Sequence, residues 1–148
     1  VLLLDGPDER VDSSQRDAEL VLIGREVANR DRPVVVAGDF NDVAWSHTTA
    51  LFERLSGLLD PRVGRGLYNT FDATRPLLRY PLDHVFVSDQ FRLARMCRLP
   101  FIGSDHFPIL IELTLEPEAA MVQEEPETQP GDRHEAAEQL RQHRQDED

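Results

Sequence analysis

An unbroken apolar run, Val34-Val35-Val36-Ala37, is stopped by Gly38 and followed at once by Asp39-Phe40-Asn41-Asp42; no other stretch constrains this chain so tightly. Consecutive β-branched residues with no polar face suit a strand covered on both sides. Ahead of it, Ser13 or Ser14 can cap a helix running to about Asn29, with Leu20, Ile23, Val27 and the small Gly24 on one face, until Pro33 ends the pattern. Behind it, Ser46 is placed to cap a second helix through about Leu55 that buries Ala50, Leu51 and Leu55. Helix, buried strand and helix in succession predict mixed α/β layers, with polar loops gathered at strand ends.

The remaining segments read mostly as strands. Val1–Leu4 is a short apolar run stopped by the turn signal Asp5-Gly6-Pro7, with a polar loop through Asp12. Leu67–Phe71, Leu82–Val87 and Ile109–Leu115 are expected strands, and Phe91–Leu99 a partly exposed edge strand whose apolar face Arg95 breaks. The formal net charge of −12 is unevenly spread. From Glu116 onward, 11 acidic and 3 basic residues carry −8 of it. Residues 1–115 are therefore expected to form the domain, and 116–148 an acidic, disordered tail in which Gln139–Arg144 is at most transiently helical. A near-neutral body is not the footprint of a tight duplex binder. Cys97 is the only cysteine, which excludes an intrachain disulfide and a thiolate metal cluster. No apolar run reaches the ~18–20 residues of a membrane helix, and no signal-peptide pattern is present.

Three polar clusters sit against these strands. Asp39 and Asn41 follow the buried run, and in extended chain both side chains point the same way. A carboxylate there can take a proton from water, and an amide can hold a phosphate oxygen; the same pair would equally suit a helix cap or turn. Asp83 and His84 open the Leu82–Val87 strand, where only one of them can share a face with the others. Asp83 could pair with His106, fixing its tautomer and raising its pKa, or could form an ordinary salt link to Arg79 or Arg92. Asp105 and His106 lie in the loop Gly103-Ser104-Asp105-His106-Phe107-Pro108. The carboxylate of Asp105 is a hard ligand suited to Mg²⁺ or Mn²⁺, and the imidazole can stabilise charge on a phosphate oxygen.

With Gly38-Asp39-Phe40-Asn41, Leu82-Asp83-His84-Val85-Phe86-Val87-Ser88 and Gly103-Ser104-Asp105-His106-Phe107-Pro108 in this order, the chain resembles the C-terminal half of the endonuclease/exonuclease/phosphatase superfamily over roughly residues 13–115. The resemblance implies a four-layer α/β (α+β) sandwich, two packed mixed β-sheets flanked by helices, present here only in its C-terminal portion. It implies divalent-metal-dependent hydrolysis of phosphate esters, with Asp39 orienting or deprotonating the attacking water and Asn41 binding the phosphate. Asp105 would contribute to a Mg²⁺ (or Mn²⁺) site, and His106 would contact the scissile phosphate with Asp83 as its orienting partner. Thr70 and Phe71 fall where relatives often carry a Thr-aromatic pair near the substrate.

The substrate, whether nucleic acid, sugar phosphate or phospholipid, is not resolved by these motifs. Arg62, Arg65, Arg75 and Arg79 could bind phosphates or be solvated surface, and Trp45 could stack on a base or sugar or pack on the sheet. The family's first half carries a metal-binding glutamate and an asparagine whose segments are not in this sequence. Its catalytic histidine at the end of the Val1–Leu4 strand is replaced by Asp5-Gly6-Pro7. The expectation is therefore a half-site, inactive without a missing N-terminal half, with an open inner face that invites self-association. The alternative is a non-catalytic degenerate relative that acts as a binding or interaction protein, presenting its acidic tail to a basic partner.

Overall fold

The computed structural model describes residues 2–4, 13–75 and 77–146. The turn expected at Asp5-Gly6-Pro7 and the loop through Asp12 lie outside the described residues. The apolar run forms β2 (Val35–Asp39), the middle strand of a three-stranded sheet. Within the strand only Val36 is buried, so it is covered on one face rather than on both as expected. It is parallel to β1 (Leu2–Leu4) and antiparallel to β3 (Asp83–Val87). Helices α1 (Ser13–Ala28) and α2 (His47–Ser56) cover one face; of Ala50, Leu51 and Leu55, expected to be buried in α2, only Leu51 is, joined by Thr48, Thr49, Phe52 and Ser56. Strand alternation turns Val36 and Phe86 toward them, where both are fully buried with Leu20, Val27, Phe40 and Phe52. The phenylalanines meet at ring-centroid distances of 5.0 to 5.6 Å, a geometry that adds to the gain from burial alone.

The same alternation sorts the polar residues. The register pairs Val36 with Phe86, Gly38 with His84 and Asp39 with Asp83. His84 therefore shares the helix-covered side with Phe86. Asp39 and Asp83 stand side by side on the opposite face, at the end of the sheet. Ser46 caps α2 as expected, its Oγ accepting from the Thr49 N–H at 3.0 Å.

The second sheet is an antiparallel ribbon of β4 (Phe91–Arg98) and β5 (Ile109–Leu115), with a register irregularity between Leu93 and Arg95. The loop into β5 turns back to the first sheet: the Phe107 N–H donates to the Thr70 carbonyl at 2.9 Å, and His106 bridges Phe71. The mixed α/β architecture expected from the sequence is thus present, with two small sheets and helices on one of them.

Two segments differ from expectation. Leu67–Phe71 is not a strand; only Phe71 makes isolated bridges, to Tyr80 and His106. Gly66 at φ 128° and Tyr68 at φ 47° take the chain out of extended geometry just before it. The tail beyond Glu116 is also structured. A short 3-10 turn spans Pro117–Met121, and α3 covers Asp132–Asp146. Ala136 and Leu140, four residues apart on one helix face, seat against Val21, Leu51 and Leu55. Arg54 holds the first turn with a two-pronged bond to Asp132 at 2.9 and 3.0 Å. Composition misses this because a single well-placed apolar pair and one fork suffice where the rest of the helix is solvated. No helix among the described residues is long and apolar enough to cross a membrane.

Candidate active site

Asp39, Asp83 and His106 converge, although they come from three separate segments, and their ligand atoms lie within 4.8 Å of one another. The paired register of β2 and β3 supplies the two carboxylates; the return of the 103–108 loop supplies the imidazole. His106 Nδ1–H donates to Asp83 Oδ2 at 2.7 Å, so the other ring nitrogen, Nε2, faces Asp39 Oδ2 at 3.7 Å. Of the partners weighed for Asp83, the structure selects His106 rather than Arg79 or Arg92.

The electrostatics follow from this crowding of acids. Burial alone would lower the His106 pKa, but the hydrogen bond to Asp83 and the charges of Asp83, Asp39 and Asp105 outweigh it, and the net shift is upward. Burial pushes the Asp39 carboxyl up. Donation from the Asn41 N–H and the charge of His106 oppose that, the charges of Asp83 and Asp105 add to it, and the result remains above the usual carboxylate value. A carboxylate shifted upward is a better acceptor for a proton from water.

Asn41 sits at φ 49°, a conformation uncommon for a residue other than glycine. It is bound on both backbone sides: its N–H donates to Asp39 Oδ1 at 2.8 Å, and its carbonyl accepts from Arg16 Nη1 at 3.0 Å. The Asp39 side chain thus closes a local turn while Ser46, not Asp39 or Asn41, caps α2. Thr70 is fully buried beneath the site and its Oγ1 accepts from the Asp83 N–H at 3.2 Å, while the Phe71 ring lies 5.0 Å from His106.

Asp105, expected as a metal ligand, stands outside the three-residue cluster. Its carboxylate is exposed and accepts from Ser104 Oγ at 3.3 Å, and its carbonyl accepts from the Ala73 N–H at 2.7 Å. Its charge still reaches both Asp39 and His106. Trp45 is 60% exposed rather than packed on the sheet. A hollow of about 340 Å³ opens beside Asp83, Ser104 and His106, whereas a larger one of about 690 Å³ between Arg32, Arg54 and Glu125 contains none of the site residues.

Two residues of this region escape the sequence reading. Arg62 is 4% exposed and salt-bridged to Asp60, not a solvated surface arginine. His84, 1% exposed, accepts from Arg62 and reaches the Asp42 carbonyl. For His84 the signal was strand parity, since it shares its side with Phe86 and therefore had to be buried and partnered; no local signal marks Arg62.

A family model described as the Endonuclease/Exonuclease/phosphatase family matches residues 3–106. Among solved structures, the chain is similar to a mannosyl-6-phosphatase of Bacteroides thetaiotaomicron at 22% identity and a TM-score of 0.58, over 76% of this chain and 50% of that one. It is similar to an endonuclease/exonuclease/phosphatase from Bacteroides vulgatus at 26% identity and a TM-score of 0.61, over 77% and 50%. A functionally unknown conserved protein from Enterococcus faecalis matches at 21% identity and a TM-score of 0.60, over the same shares. The chain spans about half the length of these structures. No curated protein matches it significantly.

Proposed function

The chain belongs to the endonuclease/exonuclease/phosphatase family, and from that premise we propose that it carries the C-terminal part of a phosphoesterase site. The observation that supports this most directly is the convergence of Asp39, Asp83 and His106 from three segments at one end of the sheet. Water attacks phosphorus in line with the leaving oxygen. The new P–O bond forms as the old one breaks, and the Asp39 carboxylate takes the water's proton. Asn41 holds a phosphoryl oxygen. His106 faces the scissile phosphate and stabilises the charge that develops on it, kept in orientation by Asp83 at 2.7 Å.

The donor set is rich in hard oxygen and crowded with like charge, which fits a divalent cation such as Mg²⁺ or Mn²⁺. Asp105, exposed at the rim, would hold it with a carboxylate of the cluster, and the ion would supply charge neutralisation at the phosphoryl oxygens. These residues make only part of a coordination shell. Because the chain spans half of its structural matches, the reading includes completion of the site by further sequence of the domain. Exposed Leu77, Phe101 and Ile102, in the loops that flank the site, are consistent with contact to such sequence or to a second copy.

The test is hydrolysis of an aryl phosphodiester and an aryl phosphomonoester, with and without Mg²⁺, by this chain and by a form extended upstream. Metal-dependent turnover by the extended form that His106→Ala lowers by about 10²-fold or more is expected. Turnover unchanged by His106→Ala and Asp39→Ala would remove these residues from the chemistry. Binding of a basic partner without turnover in the extended form would favour the non-catalytic alternative.

A further inference from the structure

We infer that Arg62 and His84 form a buried positioning relay that fixes the Asp39–Asn41 loop, a role that rests on the phosphoesterase reading for what the loop does.

The relay starts from a residue with no freedom. Arg62 Nε donates to both Asp60 oxygens at 3.0 Å, and Nη2 donates to Asp60 Oδ2 at 2.7 Å. Nη2 also donates to His84 Nδ1 at 2.7 Å, and Nη1 to the Asp83 carbonyl at 3.3 Å. A guanidinium has no acceptor and does not lose its proton in a protein. His84 Nδ1 must therefore present a lone pair, which places the ring proton on Nε2. That nitrogen faces the Asp42 carbonyl at 2.8 Å and can only donate to it. One buried arginine thus dictates the tautomer of the histidine, and the tautomer dictates a bond to the residue after Asn41.

The ring also acts through its face. It stacks on Phe40 at 4.9 Å with 21° between planes, and on Phe86 at 5.6 Å with 17°. Phe40 is the residue between Asp39 and Asn41. His84 consequently grips the loop on both sides of Asn41, whose left-handed backbone needs outside support. Beyond Asp42 the hold continues into a helix: Ser46 Oγ donates to Asp42 Oδ2 at 2.5 Å and accepts from the Thr49 N–H. At its other end the relay holds the Asp83 carbonyl, so it ties together the strands that carry both carboxylates. The competing account is that these bonds merely satisfy polar groups in a core. The two accounts differ in whether the Nε2–H donor matters to the loop.

Two substitutions separate them. His84→Phe keeps an aromatic ring for stacking and removes the donor, whereas His84→Gln replaces the ring with a side chain that can again donate to Asp42. The first readout needs no activity: side-chain ¹⁵N spectra of the 148-residue chain and hydrogen exchange at the Phe40 and Asn41 amides. Expected are the Nε2–H tautomer for His84, exchange faster by about tenfold or more at those amides in His84→Phe with Val36 unchanged, and recovery in His84→Gln. An Nδ1–H tautomer, or loop amides in His84→Phe that exchange as in the wild type, overturns the relay. If His84→Phe does not fold, Arg62→Gln, whose amide can accept as well as donate, carries the test: a mixed tautomer with faster loop exchange supports the relay, and an unchanged tautomer overturns it.

The second readout is turnover by the extended form. His84→Phe should lower kcat by about 10–100-fold with little change in KM, and His84→Gln should recover most of it. A loss that Gln fails to recover counts against positioning by the donor. Should the wild type hydrolyse no phosphate ester, the functional reading fails, while the tautomer and exchange results still decide the relay.

Discussion

His84 and His106 sit on opposite faces of the same sheet edge, and the contrast between them shows how a strand's alternation divides labour. Behind the sheet, His84 is sealed beneath Phe40 and Phe86, and burial, with the Arg62 charge adding, pushes its pKa down to about 4. In front, His106 is partly open, and the carboxylates around it turn the balance the other way. One imidazole is therefore neutral with its proton on Nε2, directed at a backbone carbonyl. The other donates from Nδ1 to Asp83 and keeps Nε2 turned toward Asp39 and the open site. The residue type is the same; deep burial beside a cation and partial exposure among carboxylates set the two rings apart.

The largest break is expected behind the sheet. Arg62→Met leaves Asp60 buried without its cation and His84 without its donor, and should cost about 3–5 kcal/mol of stability. Urea unfolding of the full chain checks this, and a loss below about 1 kcal/mol would show that the buried network is not fastened as described. In front of the sheet the balance should reverse. His106→Ala should lower turnover of the extended form by about 10²–10³-fold, equivalent to about 3–4 kcal/mol of transition-state stabilisation. The same substitution should shift stability by no more than about 1 kcal/mol, since the side chain is partly exposed. Parallel measurement of turnover and unfolding for the two variants tests the contrast; equal stability losses would erase it.

How much of this was legible in the sequence follows the same division. The run Val34–Ala37, the Ser46 cap and the apolar run Val85-Phe86-Val87 are local signals, and each gave its element with bounds correct to a residue or two. The three polar clusters were legible because short motifs mark them, and once strand parity is applied Asp83 and Asp39 fall on one face. Arg62 was not legible, because burial of an arginine depends on an acid and an imidazole brought to it by tertiary packing. Nor was α3, whose seating depends on Val21 and Leu51, more than 80 residues earlier in the chain. Leu67–Phe71 failed for the opposite reason: its β-propensity was overridden by backbone turns at Gly66 and Tyr68.

Glu53 lies on the same helix-covered side as Arg62. Burial pushes its carboxyl up to about 7, the Asp60 charge adds to this, and Arg62 and Arg54 oppose it. A carboxyl whose folded pKa lies above its unfolded value of 4.5 contributes stability that is complete below 4.5 and lost as pH rises through about 7. Glu53→Gln removes that loss. The variant should unfold much like the wild type near pH 4.5 and be more stable at pH 8 by about 1–3 kcal/mol, allowing for partial solvent screening. Thermal melts at the two pH values measure the difference. A variant no more stable than the wild type at pH 8 would mean that Glu53 ionises there without cost.

The smallest effect makes His106 more like its buried counterpart. Asp83→Asn removes the carboxylate that holds Nδ1–H and leaves the imidazole under the burial that lowers its pKa, with only Asp39 and Asp105 still raising it. Because the folded-state pKa of His106 is raised above 6.5, its stabilising contribution is complete below 6.5 and disappears as pH climbs through the folded value. The wild type should therefore exceed Asp83→Asn in stability by more at pH 6 than at pH 9. The difference should be about 0.5–1 kcal/mol, since the pair is partly solvated. NMR titration of the ring should show the His106 pKa lower in the variant and His84 unmoved. A fall at both rings would mean that the two faces of the sheet are electrostatically joined, and that parity alone does not keep their roles apart.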